Sequence, residues 1–323
     1  PASGDWYGIV STGNTGKVLV DYASINHYTN GIRIKSGSSD YTDYNNDDTV
    51  SVANTKFYGG GSAIYGDGYS YRPIIFTYNK LYECGVYDRS YTSYKSYENN
   101  RIVSQVSYKT LDVGYVRTGS SSNTFSSATL KVNSNTFDKG HIYIYYLRLY
   151  EGNGSNTISV EVKNNYLSRG SQGISLEYLR NYTSNRKRFN LDIDNNTVFG
   201  DKNQLYNGSG VLIGTGNNAG ITASIQNNTI RAIAQGIYFD SQQASRATIT
   251  SNNIDSTYYQ GVYLNKVSGR IESNTITKCG RYDYFGIYIT SDFNYPAIDT
   301  IQYNTITGNG YWQSPSNTST TGG

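Results

Sequence analysis

Methionine is absent from these 323 residues, and histidine and cysteine occur only twice each. With His27 and His141 alone, no histidine cluster can hold zinc. Neither histidine stands beside an elbow serine of the kind a Ser-His-acid triad needs. Charged residues make up 16% of the chain and nearly cancel at +3, so no basic stripe points to nucleic acid. No run of about 18 apolar residues occurs, so no membrane insertion is expected. The missing initiator methionine reads as a processed product or a segment of something longer, and no signal peptide is legible.

What is abundant is tyrosine: 35 residues against 9 phenylalanines, in a background of Gly, Ser, Thr and Asn. The organising stretch is Asn227 to Thr307. Asn228-Thr229-Ile230 is followed by Gly236-Ile237-Tyr238-Phe239, and the pair returns as Asn252-Asn253-Ile254 with Gly261-Val262-Tyr263-Leu264. It returns again as Asn274-Thr275-Ile276 with Gly286-Ile287-Tyr288-Ile289, and Asn304-Thr305-Ile306 opens another copy. A strand–turn–strand unit with a period of roughly 20–35 residues cannot bury its own apolar face, so copies must stack. Upstream, Val132, Val162, Ile193, Ile225, Ile249, Ile271 and Ile301 fall in one column, which period-2 alternation turns inward. Lys131, Glu161, Asp192, Ser224, Thr248, Arg270 and Thr300 then point out. The corner asparagines are expected to form a ladder of amides that satisfies backbone groups in the bend. Weaker copies start at Asn54, Asn79 and Asn100. The predicted architecture is all-β: a single-stranded right-handed parallel β-helix of about 10–12 turns. It occupies 1–312 and lacks its N-terminal cap, with 313–323 as a Ser/Thr/Gly-rich linker or tail.

On this scaffold Cys84 and Cys279 lie about eight turns apart, near 40 Å, too far for a disulfide. Both read as small buried residues at a second corner. Loops at Ser36–Asp48, Tyr87–Asn99, Val113–Ser127 and Tyr178–Phe189 should leave from one edge, where binding usually lives.

The Asn-x-Thr-Ile and Gly-Ile-x-Ile copies, with the opening Trp6-Tyr7-Gly8-Ile9, resemble the parallel β-helix repeats of pectin-lyase-like secreted and surface proteins. That resemblance implies the fold across nearly the whole chain, but the fold carries lyases, hydrolases, adhesins and viral spikes alike. The polygalacturonase-like hydrolases of this fold carry Asn-Thr-Asp, an Asp pair, Gly-His-Gly and Arg-Ile-Lys. Here Arg33-Ile34-Lys35, Asp47-Asp48 and Gly140-His141 occur in the wrong order, and no Asn-Thr-Asp is present.

Two carboxylates remain as catalytic candidates. Glu161 and Asp192 should stack about 4.8 Å apart, near the separation retaining glycosidases use. Lys131 in the same column, and Lys163 beside Asp194 in the next, favour cross-strand charge compensation instead. Asp40, Asp43, Asp47 and Asp48 offer hard oxygen ligands for Ca²⁺ but lack the spacing of a known loop, so no cofactor is assigned. Gly13-Asn14-Thr15-Gly16-Lys17 is too short for a phosphate loop. Asn153, Asn181, Asn207 and Asn317 are glycosylation candidates.

Aromatic placement weighs most. Tyr143, Tyr238, Tyr263 and Tyr288 share the outward slot of the Gly-Ile-Tyr strands, and loop tyrosines such as Tyr41, Tyr44, Tyr91 and Tyr182 add to them. A flat apolar ring with a polar tip suits sugars and wet protein contacts, although tyrosine also has high strand propensity. We read the chain as a non-catalytic extracellular or cell-surface β-helix, a structural or adhesive block. Its expected partner is a surface glycan or other copies of itself, in an oligomer or filament. The alternatives are a polysaccharide lyase or hydrolase of this fold, or a viral tail spike.

Overall fold

The computed structural model describes residues 8–12, 17–35, 49–69, 72–104, 109–118, 127–149, 157–181, 188–201, 208–215, 220–280, 284–290 and 300–309. Their strands join into one 30-stranded sheet whose pairings run in parallel between successive levels. One level shows the plan: a long strand Ser127–Asn133, a corner, a short strand Thr136–Asp138, a second corner, and a third strand His141–Tyr145. The next level begins at Thr157. Three faces therefore wrap one bore with the right-handed sense of parallel crossovers: a long-strand face, a short-strand face and a loop-side face. The short strand recurs in register from Ser24 through Lys56, Lys80, Arg101, Thr136, Tyr166, Thr197, Thr229, Asn253 and Thr275 to Thr305, eleven levels.

The expected inward column is in register, and it is buried from Val132 to Ile271, while Ile301 at the last described level is exposed. Val132 pairs with Val162, then Ile193, Ile225, Ile249, Ile271 and Ile301. Alternate residues of each strand fill the bore and exclude water, which is what holds consecutive levels together. The first corner carries the amide ladder. Asn79 donates its side-chain N–H to Asn100 Oδ1 at 3.1 Å, and the file continues through Asn135, Asn165, Asn196, Asn228, Asn252 and Asn274 to Asn304 at 2.9–3.0 Å. The second amide proton goes to a strand carbonyl, as from Asn196 to Val162 at 2.7 Å. The residue before each ladder position turns the chain in the left-handed region, as at Asn164, Asn195, Asn227 and Ser251. At Asn54 the reading is off by one. Asn54 itself adopts the left-handed turn, and Thr55 takes the ladder position, donating its backbone N–H to Asn79 Oδ1.

Cys84 and Cys279 are buried and free at equivalent second-corner positions. Burial pushes the Cys84 thiol up to about 11 and raises Cys279 as well.

The stretch Tyr87–Asn99, expected as a loop, is instead two strands, Gly85–Tyr91 and Tyr94–Glu98. Its polar residues hid the alternation because they point into the bore. Asp88 and Lys95 are fully buried in columns otherwise filled by residues such as Val113, Ile74 and Leu130. Lys95 Nζ donates to Gly114 O at 2.8 Å, to Asp88 O at 3.1 Å, and to the Asp88 carboxylate at 3.1 Å. That carboxylate also accepts from the Ser90 N–H and hydroxyl and from the Tyr97 hydroxyl. Every proton of the ammonium is used, so the buried pair has the partners that burial demands. Gly66 makes room: a Cβ there would lie 2.2 Å from Asp88 Oδ1. The loop expected from Tyr178 starts later than read, since its strand runs on to Asn181.

Candidate functional site

The expected outward file of tyrosines exists on the loop-side face, as part of a column running the length of the helix. Arg33 pairs with Tyr65, Tyr65 with Tyr87, Tyr87 with Asp112 and Asp112 with Tyr143. The register continues through Ser175, Leu212, Tyr238 and Tyr263 to Tyr288. Tyr238 and Tyr263 stack at 4.6 Å and 7°, and Tyr263 and Tyr288 at 5.6 Å and 12°. Stacking consumes the ring faces, so this comb presents ring edges and hydroxyls outward. Burial and the nearby Asp240 carboxylate raise Tyr238 and Tyr263 above the ordinary phenol range, keeping both hydroxyls as donors.

Tyr143 departs from the expectation of an exposed ring. It is 7% exposed, because His141, Tyr145 and Glu177 close around it, with its hydroxyl 3.4 Å from Glu177 Oε2. Burial, then the charges of Glu177 and Asp112, push its phenol up. Around it the face is charged as well as aromatic. Arg89 holds Asp112 through two contacts of 2.9 and 3.4 Å and lies between the rings of Tyr87 and Tyr145. A groove of about 420 Å³ runs from Gly60, Gly61 and Glu83 onto Tyr87 and Asp112.

Beside this face is a feature the sequence reading missed. Tyr115, Tyr146 and Tyr178 all turn the chain in the left-handed region, with φ of 58, 63 and 57°. Two residues on, Arg117, Arg148 and Arg180 lie in register. The signal was present as Tyr115-Val116-Arg117, Tyr146-Leu147-Arg148 and Tyr178-Leu179-Arg180. Two of the three segments fall in stretches expected as loops, Val113–Ser127 and Tyr178–Phe189, and the third lies between the strand copies, so the spacing does not show that they align.

The candidate carboxylates Glu161 and Asp192 do sit on adjacent levels, on the long-strand face. They line an open groove of about 380 Å³ together with Ser159, Asn190, Ser224 and Thr248. Each is matched by a lysine: Lys131 lies 4.0 Å from Glu161, and Lys163 lies 2.5 Å from Asp192. Lys163 is in register with Asp194, as expected, but reaches diagonally to Asp192. The arrangement is charge compensation between strands.

Asp40, Asp43, Asp47 and Asp48 lie outside the described residues, as do Asn153, Asn207 and Asn317. Asn181, expected on a loop, ends a strand and is buried. Among the described residues no three His, Cys, Asp or Glu side chains group as a metal site. His27, Cys84, His141 and Cys279 belong to the levels starting at Ser24, Lys80, Thr136 and Thr275, no two of them neighbours. Among the described residues no helix is long and apolar enough to cross a membrane.

Comparison with curated proteins finds no match. Among solved structures, the chain is similar to the catalytic unit of a thermostable GH87 alpha-1,3-glucanase from Streptomyces thermodiastaticus strain HF3-3. The identity is 13% and the TM-score 0.44, over 98% of this chain and 66% of the glucanase chain, just under two thirds of its length. A family described as periplasmic copper-binding protein (NosD) matches residues 133–321, more than half of the sequence. That family agrees with a location outside the cytoplasm, and the chain belongs to it: it is a member of the NosD family of parallel β-helix proteins.

Proposed function

We propose that this chain is a non-catalytic β-helix scaffold outside the cytoplasm that binds a glycan along its loop-side face. The observation that carries this reading is the register column in which Tyr65, Tyr87, Tyr143, Tyr238, Tyr263 and Tyr288 recur. Rigid amphipathic rings on a pre-formed surface bring contact area at little entropic cost, and their hydroxyls supply hydrogen bonds to a polyhydroxylated ligand. The groove ending at Tyr87 and Asp112 supplies concavity on the same face.

Copper, named in the family description, does not fit this chain's donors. Copper(I) favours thiolate and thioether ligands, and copper sites of either state draw heavily on imidazole. Methionine is absent. Both thiols are buried. The two histidines and two cysteines lie at least two levels apart, about 10 Å or more at the strand spacing. No role here is therefore routed through copper.

The test is a glycan array with the wild-type chain and a Tyr238→Ala/Tyr263→Ala variant. Binding to a defined set of glycans, weakened at least tenfold in the variant, is expected. An array with no specific signal overturns the reading.

A further inference from the structure

We infer that the Tyr-x-Arg corner is an anion-binding ladder and that the glycan this protein takes is a negatively charged one. The inference rests on the glycan-binding reading above and adds the charge of the ligand and the place where it is read.

The ladder is built by the fold. Tyr115 and Tyr146 make left-handed turns just after their loop-side strands, Tyr178 makes the same turn within the strand Ile174–Asn181, and each arginine follows two residues on. Arg117 bridges Arg148 in parallel, and Arg148 pairs with Arg180. Three guanidinium stems thus repeat at about the 4.8 Å strand spacing.

Rings separate the charges. The Arg148 guanidinium lies 3.8 Å from the Tyr146 ring centre, Arg180 lies 4.9 Å from the same ring, and Arg117 lies 4.7 Å from Tyr91. Arg180 also donates to the Tyr146 hydroxyl at 3.1 Å. Tyr115 packs on Tyr91 at 4.7 Å and on Tyr146 at 5.2 Å, so rings and cations form one continuous body.

Like charges stacked on neighbouring strands repel. The ring quadrupoles offset part of that cost and fix the planar forks in place. A ligand carrying one negative group per repeat would meet the Arg148 and Arg180 forks already aligned, with Arg117 as the buried base beneath them. The ladder opens towards one end: Arg117 is buried, Arg148 and Arg180 are half-buried, and Tyr178 is 45% exposed. Sugar rings between the charges would lie against the exposed Tyr178 and the half-buried Tyr145 and Tyr146. A nucleic acid fits less well, because the whole chain carries only +3 and belongs outside the cytoplasm.

Dextran sulfate against unmodified dextran isolates charge on one sugar backbone, and single-stranded DNA serves as a polyanion without that backbone. In affinity electrophoresis the wild type is expected to be retarded by dextran sulfate at least tenfold more strongly than by dextran. Retardation should weaken as salt rises. Arg148→Gln/Arg180→Gln should lose at least tenfold of it, while Lys163→Gln on the long-strand face should lose none. Circular dichroism verifies that the variants stay folded. The lysine pair Arg148→Lys/Arg180→Lys keeps the charge without the planar fork and should bind at an intermediate level. Equal binding of dextran and dextran sulfate, unchanged by the arginine variants, overturns the inference while leaving glycan binding standing. Tighter binding of DNA than of dextran sulfate overturns it too. No binding to any glycan removes both readings.

Discussion

The corner asparagines have the most exacting task of any residue in the chain. Asn196 accepts the Asn165 backbone and side-chain N–H groups on one oxygen and donates to Asn228 and Val162 with its nitrogen, all out of water. Asn196→Ala strands those groups at about 1–3 kcal/mol each, so a loss of roughly 2–4 kcal/mol is expected after relaxation. A shift of the urea midpoint measures it, and an unchanged midpoint would show the ladder to be incidental. Cys84 gives a pH signature. Its thiol is raised from 9.0 to about 11 by burial, so the unfolded chain releases this proton first as pH rises. Stability from Cys84 is intact below pH 9 and is lost as pH climbs towards 11, at up to about 1.4 kcal/mol per pH unit. Urea unfolding from about pH 8 to about pH 11 should show a flatter decline for Cys84→Ser than for wild type. Equal slopes would mean that the thiol is not buried as described.

At the scale of the element, the strands Gly85–Tyr91 and Tyr94–Glu98 meet across the bore through Asp88 and Lys95. Removing one partner of a buried pair leaves the other charge unpaired, at about 3–5 kcal/mol, whereas replacing both with apolar residues is often neutral or better. Lys95→Met is therefore expected to destabilise strongly, and Asp88→Leu/Lys95→Met to recover most of the loss. A double-mutant cycle in denaturant reads this directly, and additive losses would argue that the two side chains do not interact. The same network explains why this level resembles a loop in sequence. Alternation of Asp88, Ser90 and Lys95 with neighbours such as Arg89 and Ser96 gives no apolar column, and sequence pattern does not reveal that polar side chains satisfy one another inside a bore. Thr55 in the ladder file is a similar case, since its hydroxyl chemistry gives no sign of a position its neighbours fill with Asn.

For the whole molecule, a solenoid turns chain position into height, and height decides which side chains can share a ligand. His27, Cys84, His141 and Cys279 are kept on separate levels by that rule. Copper added to the purified chain with an equimolar chromophoric chelator is therefore expected to stay with the chelator. Stoichiometric transfer to the protein would show that it assembles a site the described residues do not contain. The opposite consequence holds for Tyr238, Tyr263 and Tyr288, and for Arg117, Arg148 and Arg180. Each set recurs at one place in successive turns, so each becomes a continuous file.

From sequence alone the period, the inward aliphatic column, the Asn corner and the tyrosine file were determined, because a stacked repeat writes its contacts into its spacing. The tertiary structure decided what spacing cannot carry: which polar residues turn inward, as at Asp88 and Lys95, and which outward residues are covered, as at Tyr143. It also decided that the stacked rings spend their faces on each other, and that three separate Tyr-x-Arg segments align. The physical reason is that these outcomes depend on neighbours supplied by levels above and below, where burial and pairing energies are settled only once the turns are in contact.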